Sequence, residues 1–148
     1  MKRLNLGCGK DVRGDWINHD IKQHDAAIDV VWDLNKIPWP WDDSSVDMIH
    51  AISVLEHLKL TFIESLDECW RILKPGGALY VKFPIYTSPF IHHDPTHRWF
   101  WDESTPNFVD PATDLGKRYS YYTTRKWETL DKKVTDKNCW ITLRPLKK

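Results

Sequence analysis

Leu4-Asn5-Leu6-Gly7-Cys8-Gly9 is a short apolar strand running into a glycine turn, and Asp20 stands eleven residues beyond Gly9. Asp20 closes a second apolar run, Trp16-Ile17-Asn18-His19. In a parallel α/β sheet this arrangement builds one half of a nucleoside site. The glycines let backbone N–H groups approach a ligand, and an acid at the tip of the next strand accepts from ribose hydroxyls. Eleven residues is short for a turn, a helix and a strand, because α/β crossovers ordinarily take about a dozen residues or more. A loop or a single turn is therefore expected between Gly9 and Trp16, where a helix is usual.

Outward from this segment, Arg3–Leu6, Trp16–His19, Ile28–Trp32 and Val46–Ile52 read as four strands. The last is apolar enough for a buried parallel position. Pro38-Trp39-Pro40-Trp41-Asp42-Asp43-Ser44-Ser45 is turn-rich and reads as a loop. Phe62, Ile63, Leu66, Cys69, Trp70 and Leu73 share one face at helical spacing, which predicts a helix over 61–73. Lys74-Pro75-Gly76-Gly77 supplies its stop signal. Ala78–Phe83 reads as a fifth strand, and Lys126–Val134 with Cys139–Leu143 as a terminal hairpin. Pro84–Thr124 shows weak periodicity. Gly7, Asp20, Asp33 and Ser53 all fall at strand ends, where ligands bind in open α/β sheets.

The 148 residues, 41% of them apolar, suit one domain spanning 1–148. No apolar run reaches the length of a membrane span, and Met1-Lys2-Arg3 leads straight into a strand, so no membrane association is expected. Cys8, Cys69 and Cys139 show no paired or metal-like spacing, which favours reduced thiols and a cytoplasmic location. The net charge of zero hides an asymmetry. Segment 117–148 carries ten Lys/Arg against three Asp/Glu, and the rest of the chain is correspondingly acidic. Such a segment fits an anionic partner such as nucleic acid, or equally a solvated basic edge hairpin. Of the nine tryptophans, Trp99 and Trp101, in a loop beside histidines, are the ones expected to touch a ligand.

An ordered series of phrases resembles the class I S-adenosylmethionine (SAM) dependent methyltransferases, most closely the compact type 11 kind. The phrases are Leu-Asn-Leu-Gly-Cys-Gly at 4–9, Ile-Asn-His-Asp at 17–20, Trp-Asp-Leu-Asn at 32–35 and Ser-Val-Asp-Met-Ile at 45–49. They continue with Ser-Val-Leu-Glu-His-Leu at 53–58, Arg-Ile-Leu-Lys-Pro-Gly-Gly at 71–77, Ser-Pro-Phe at 88–90 and His-Asp-Pro-Thr-His-Arg at 93–98. The resemblance implies a Rossmann-like three-layer sandwich, a mainly parallel sheet with an antiparallel C-terminal edge hairpin, its first helix shortened or missing. It also implies SAM as cofactor and S-adenosylhomocysteine as product. Gly7, Cys8 and Gly9 would pass under the methionine part, Asp20 would take the ribose hydroxyls, and Ile21 would pack on the adenine. Asp33 would accept from the adenine amino group, with Leu34 beside it, unless it serves only as a turn cap. Ile52 and Ser53 would present carbonyls to the amino or methyl end, with His57 nearby. Asp11 replaces a frequent third glycine, and the sequence opens on its first strand. A more open cofactor pocket is expected.

His93, Asp94 and His97 follow the fifth strand and are the candidate catalytic residues, as general bases toward a hydroxyl or amine acceptor. The alternative is a polar surface loop. No metal site is expected, since His92, His93, Asp94 and His97 lack a common register and Pro95 interrupts them. Ser53-Val54-Leu55-Glu56 stands where adenine methyltransferases carry an Asn/Asp-Pro-Pro-Tyr/Phe motif, which argues against that exocyclic-amine chemistry. A nucleic acid acceptor is slightly favoured, with segment 117–148 on phosphates and Tyr119, Tyr121, Tyr122, Trp99 and Trp101 on bases. A small-molecule or sugar acceptor is the close alternative. The rival readings are a non-catalytic SAM-binding module and a dehydrogenase. Asp20 alone would fit NAD, but Val12 stands where its third small residue belongs.

Overall fold

The computed structural model describes residues 1–148. Seven strands form one sheet: β1 (Arg3–Leu6), β2 (Ile17–Asp20), β3 (Val30–Val31), β4 (Val46–Ile52), β5 (Leu73–Pro84), β6 (Trp127–Val134) and β7 (Asn138–Pro145). Their spatial order is β3-β2-β1-β4-β5-β7-β6. The first five run parallel, and β7 pairs antiparallel with both β5 and β6. The expected mainly parallel, Rossmann-like α/β sheet with an antiparallel edge is therefore present. The order reverses at β1 and β4, so the carboxyl ends of these strands flank the switch point.

One helix supports the sheet, α1 (Phe62–Ile72). Thr61 caps it by accepting from Glu64 N at 3.2 Å, while the Glu64 carboxylate accepts from Thr61 N at 2.7 Å. This reciprocal capping box fixes the start of the helix. Its apolar face covers Leu4, Leu6, Ile49, Ala51, Leu79 and Val81, all fully buried. The turn-rich loop 33–45 joins α1 on this face, because Arg71 donates to the carbonyls of Trp39 and Trp41 and pairs with Glu68.

The opposite face carries no helix of its own. Asn5, His50, Tyr80 and Thr142 stand side by side across four strands, with Lys82 and Trp140 in the next row. Connector 10–16 lies over part of this face: Arg13 donates to His50 Nδ1 at 2.8 Å, and Trp16 packs edge-on against His50. The third layer of the sandwich is thus a turn-rich connector, matching the expected loss of the first helix.

Three local differences from expectation have physical causes. The third strand shrinks from 28–32 to Val30–Val31, because it is a sheet edge paired only with β2, and Asp29 turns its carboxylate to Asn18 N. Lys74-Pro75-Gly76-Gly77 does stop α1, yet it belongs to the start of β5. The register between β4 and β5 slips there, and a Cβ on Gly77 would stand 2.9 Å from the Asp47 carbonyl oxygen. The stretch 85–124 holds two short helices, α2 (Phe90–His93) and α3 (Asp114–Arg118), between single turns. No helix is long and apolar enough to cross a membrane, and all three cysteines are free and buried.

Candidate functional site

The glycine turn after β1 is held by β2. Cys8 N donates to the His19 carbonyl at 2.9 Å, and Gly7 N to His19 Nδ1 at 3.1 Å. Since Nδ1 accepts, the ring proton sits on Nε2 and reaches the Trp32 carbonyl at 3.0 Å. One buried imidazole thereby joins the ends of β1, β2 and β3. Burial pulls its pKa below the usual histidine value, which keeps it neutral for this task.

Gly7 has φ +53°, and a Cβ there would meet Val54 Cγ2 at 2.6 Å. Ser53, at the end of β4, holds φ +55° without being glycine, a conformation that costs energy and recurs at binding sites. Asp20 accepts from Gly9 N at 2.8 Å and Ile21 N at 2.7 Å. Burial pushes the Asp20 carboxyl up, but these two N–H groups and His24 outweigh it, and the net effect is a pKa below the ordinary value. Asp33 accepts from Asn35 N at 3.0 Å, so it does act as a turn cap, while also facing the cleft described next.

A cleft of about 250 Å³ opens at these strand ends. Of the residues singled out from sequence, Gly7, Asp20, Ile21, Asp33, Leu34, Ser53 and His57 form its wall. Cys8, Gly9 and Ile52 do not: Cys8 is buried behind the turn, and Gly9 spends its N–H on Asp20. Burial and Asp20 push the Cys8 thiol up, so it offers no nucleophile. His19, Trp32, Asn35, Val54 and Leu58 complete the wall. The cleft fits SAM in kind: its wall offers the carboxylates of Asp20 and Asp33, the apolar side chains of Ile21 and Leu34, and a turn whose first glycine leaves no room for a side chain.

A second cavity of about 330 Å³ shares Ser53 and His57 with the first. His93, Asp94 and His97 line it, together with Glu56, Lys82 and Asn138. His92 lies apart, packed on Phe100. Glu56 was not marked out by the sequence; a carboxylate inside an apolar turn, Val54-Leu55-Glu56, was the signal. Burial pushes its pKa up to about 7.

The aromatic loop lies apart from both of these cavities. Trp101 is buried edge-on between Phe62 and Phe83, and Trp99 Nε1 donates to the Leu58 carbonyl. Both border neither of these cavities; with Phe62, Phe108 and Tyr122 they line a separate, mainly apolar one of about 380 Å³. Phe108, Tyr119 and Tyr122 stack on one another. Much of the basic segment is tied down too: Arg125 to the Asp67 carbonyl, Lys126 to that of Ser120, Arg144 to Glu128 and Lys147 to the Trp70 carbonyl.

Residues 4–81 match the family described as Methyltransferase domain, the type 11 kind. The chain belongs to this family. It is a SAM-dependent methyltransferase by that membership, with SAM as cofactor. Solved structures agree in fold. A SAM-dependent methyltransferase from Archaeoglobus fulgidus is 16% identical with TM-score 0.64, covering 97% of this chain and 86% of its own. One from Aquifex aeolicus is 14% identical with TM-score 0.57, covering 97% and 81%. The [4+2]-cyclase SpnF is 17% identical with TM-score 0.60, covering 97% and 74%. No curated protein matches. A cyclase among these methyltransferase-like structures shows that the fold alone does not fix the reaction.

Proposed function

We propose that this methyltransferase transfers the SAM methyl group to a hydroxyl oxygen of a small, polyhydroxylated acceptor such as a sugar. One observation carries the reading: the cleft shares Ser53 and His57 with a cavity in which eight of the ten lining residues are polar, all but Pro84 and Phe90. Asp20 would hold the ribose hydroxyls, Asp33 and Leu34 the adenine, and the turn 7–9 the methionine part. A carboxylate only accepts, so it suits two hydroxyls or an amine. SAM supplies an electrophilic methyl on sulfur, and the protein's task is to align an acceptor oxygen in line with it. His93, exposed in the wall of that cavity, would take the hydroxyl proton, with Asp94 beside it.

A second reading puts the hydroxyl on a nucleic acid. It is supported by Lys117, Arg118, Lys133 and Lys148, which are exposed cations of segment 117–148 with no side-chain hydrogen bond or ion pair. Labelled methyl transfer from SAM to pooled metabolite, RNA, DNA and protein fractions separates the two. Label in the metabolite fraction, stable to mild alkali as an ether is, supports the first reading. Label confined to RNA or DNA, with strongly salt-dependent binding, replaces it with the second. SAM binding with no transfer to any fraction overturns both.

A further inference from the structure

Glu56 is only 1% exposed, and neither of its carboxylate oxygens has a hydrogen-bond partner. Two histidines face it. His57 Nε2 and His97 Nε2 each stand 3.9 Å from Glu56 Oε1. Their tautomers follow from their other nitrogens. His97 Nδ1 lies 3.2 Å from the Ile91 carbonyl, which only accepts, so Nδ1 carries the proton. The Thr96 hydroxyl spends its single proton on Asp94 Oδ1 at 2.7 Å. It must therefore accept from His57 Nδ1, also at 2.7 Å. Both Nε2 atoms are left with bare lone pairs aimed at a bare carboxylate. The three atoms lie within 4.8 Å of one another, neither Glu56 oxygen has a hydrogen-bond partner, and a further acceptor, Asp94 Oδ2, stands 3.8 Å from His97 Nε2. Lys82, the one cation of the cavity wall, has its Nζ over the Trp140 ring.

Converging acceptors without a donor are what a cation resolves. We propose that Glu56, His57 and His97 bind one divalent transition-metal ion of the zinc type. Two imidazoles and a carboxylate suit such an ion, whereas magnesium and calcium prefer all-oxygen sets. Ligand atoms about 2.1 Å from a tetrahedral ion stand roughly 3.4 Å apart, so the set closes from 3.9 Å on the two edges to Glu56 and from at most 4.8 Å between the histidines, within reach of side-chain rotation. The Nδ1–H bonds to Thr96 and to the Ile91 carbonyl are the outer hydrogen bonds that orient metal-binding histidines. A proton shared between Glu56 and one histidine is the competing account, and 3.9 Å is too long for that hydrogen bond. Three protein ligands leave a coordination position open. The site borders Ser53 and the cofactor cleft, so that position would hold the acceptor hydroxyl; this last step alone rests on the function proposed above.

The test is cobalt titration of the chelator-treated full chain, followed by visible absorption, with zinc competition by calorimetry. One ion per chain is expected. Glu56→Gln and His97→Ala should each weaken binding at least tenfold, and Thr96→Val about 10- to 100-fold through His57 alone. Circular dichroism and SAM binding report whether each variant folds. Thr96→Val, at an exposed site, keeps the test open where a buried variant misfolds. Absence of stoichiometric binding, or folded variants that bind like wild type, overturns the site. SAM binding by the wild-type chain is scored separately, so failure of the metal site and failure of the methyltransferase reading give different results.

Discussion

Gly7→Ala isolates the turn on which the cofactor cleft depends. Two costs meet at this residue. The left-handed φ of +53° is worth about 1–2 kcal/mol for a residue with a Cβ. The added methyl would stand 2.6 Å from Val54 Cγ2 and 3.0 Å from Val54 Cγ1, an overpacking that typically costs about 1–3 kcal/mol. The single variant should therefore lose about 2–5 kcal/mol. A double-mutant cycle with Val54→Ala separates the parts. Removing the valine methyls relieves the clash and leaves the backbone cost, so Gly7→Ala in the Val54→Ala background should cost only about 1–2 kcal/mol. Urea denaturation of the four proteins supplies the free energies, with equal m-values as the check that the same transition is compared. Additive effects would refute the contact between the turn and Val54. A loss below about 0.5 kcal/mol in either background would refute the left-handed turn itself.

Other perturbations probe the surroundings. SAM at a hundredfold excess over its Kd should stabilise the protein by about 2.7 kcal/mol. Asp20→Ala should abolish that shift in thermal denaturation. Arg71→Ala should cost about 3 kcal/mol, because it leaves the buried Glu68 carboxylate without its cation and with only the Trp39 N–H as partner, and Tm should fall by about 10 °C. His50 is lowered from its ordinary 6.5 to about 4 by burial and by the charge of Arg13. The unfolded chain binds the proton more readily, so this stabilisation is present above pH 6.5 and is lost as pH falls towards 4. A urea midpoint that drops across this window in wild type but less in His50→Gln is expected. Burial also pushes the Cys139 thiol up to about 11, so a thiol reagent should modify it only on unfolding.

The parts of the fold legible in the sequence are those whose signal is local. Thr61 and Glu64 sit at capping-box spacing, and Phe62, Leu66, Cys69 and Ile72 repeat on one face, so α1 was readable to within a residue at each end. The eleven-residue gap before Asp20 excluded a helix on length alone. The edge strand β3 was less legible, because its extent depends on one neighbour. The site followed the same division. Residues at strand tips, such as Asp20 and Ser53, are placed by topology. His19 and Glu56 are buried polar residues inside apolar runs, and their meaning lies in what they face. Glu56 meets a histidine delivered by the loop after β5, which no spacing rule connects to it. Trp99 and Trp101 were placed by packing that spacing does not show: Trp101 sits against Phe62 and Phe83, and the two tryptophans line a separate cavity away from the strand ends.

Losing the first helix shifts the burden of holding the glycine turn onto side chains. Asn5 Nδ2 donates to the Asp11 carbonyl at 2.7 Å, and Asn18 Nδ2 to the Arg13 carbonyl at 2.8 Å. The Asn18 oxygen accepts from Arg13 N at 3.0 Å and from Asn5 Nδ2 at 3.3 Å. Asn5 and Asn18 are register partners on β1 and β2, and both are almost fully buried. They satisfy the connector's backbone groups as a helix would satisfy its own. Arg13 then closes the connector against His50 on β4 and pairs with Asp11. This arrangement explains why apolar strands carry two asparagines facing a layer that has no helix. Each asparagine feeds several bonds, so their effects cannot be additive: Asn5→Leu and Asn18→Leu should each lose most of what the pair provides, and the double variant little more. Full additivity would mean that the two amides act separately and that the connector is held by Arg13 alone.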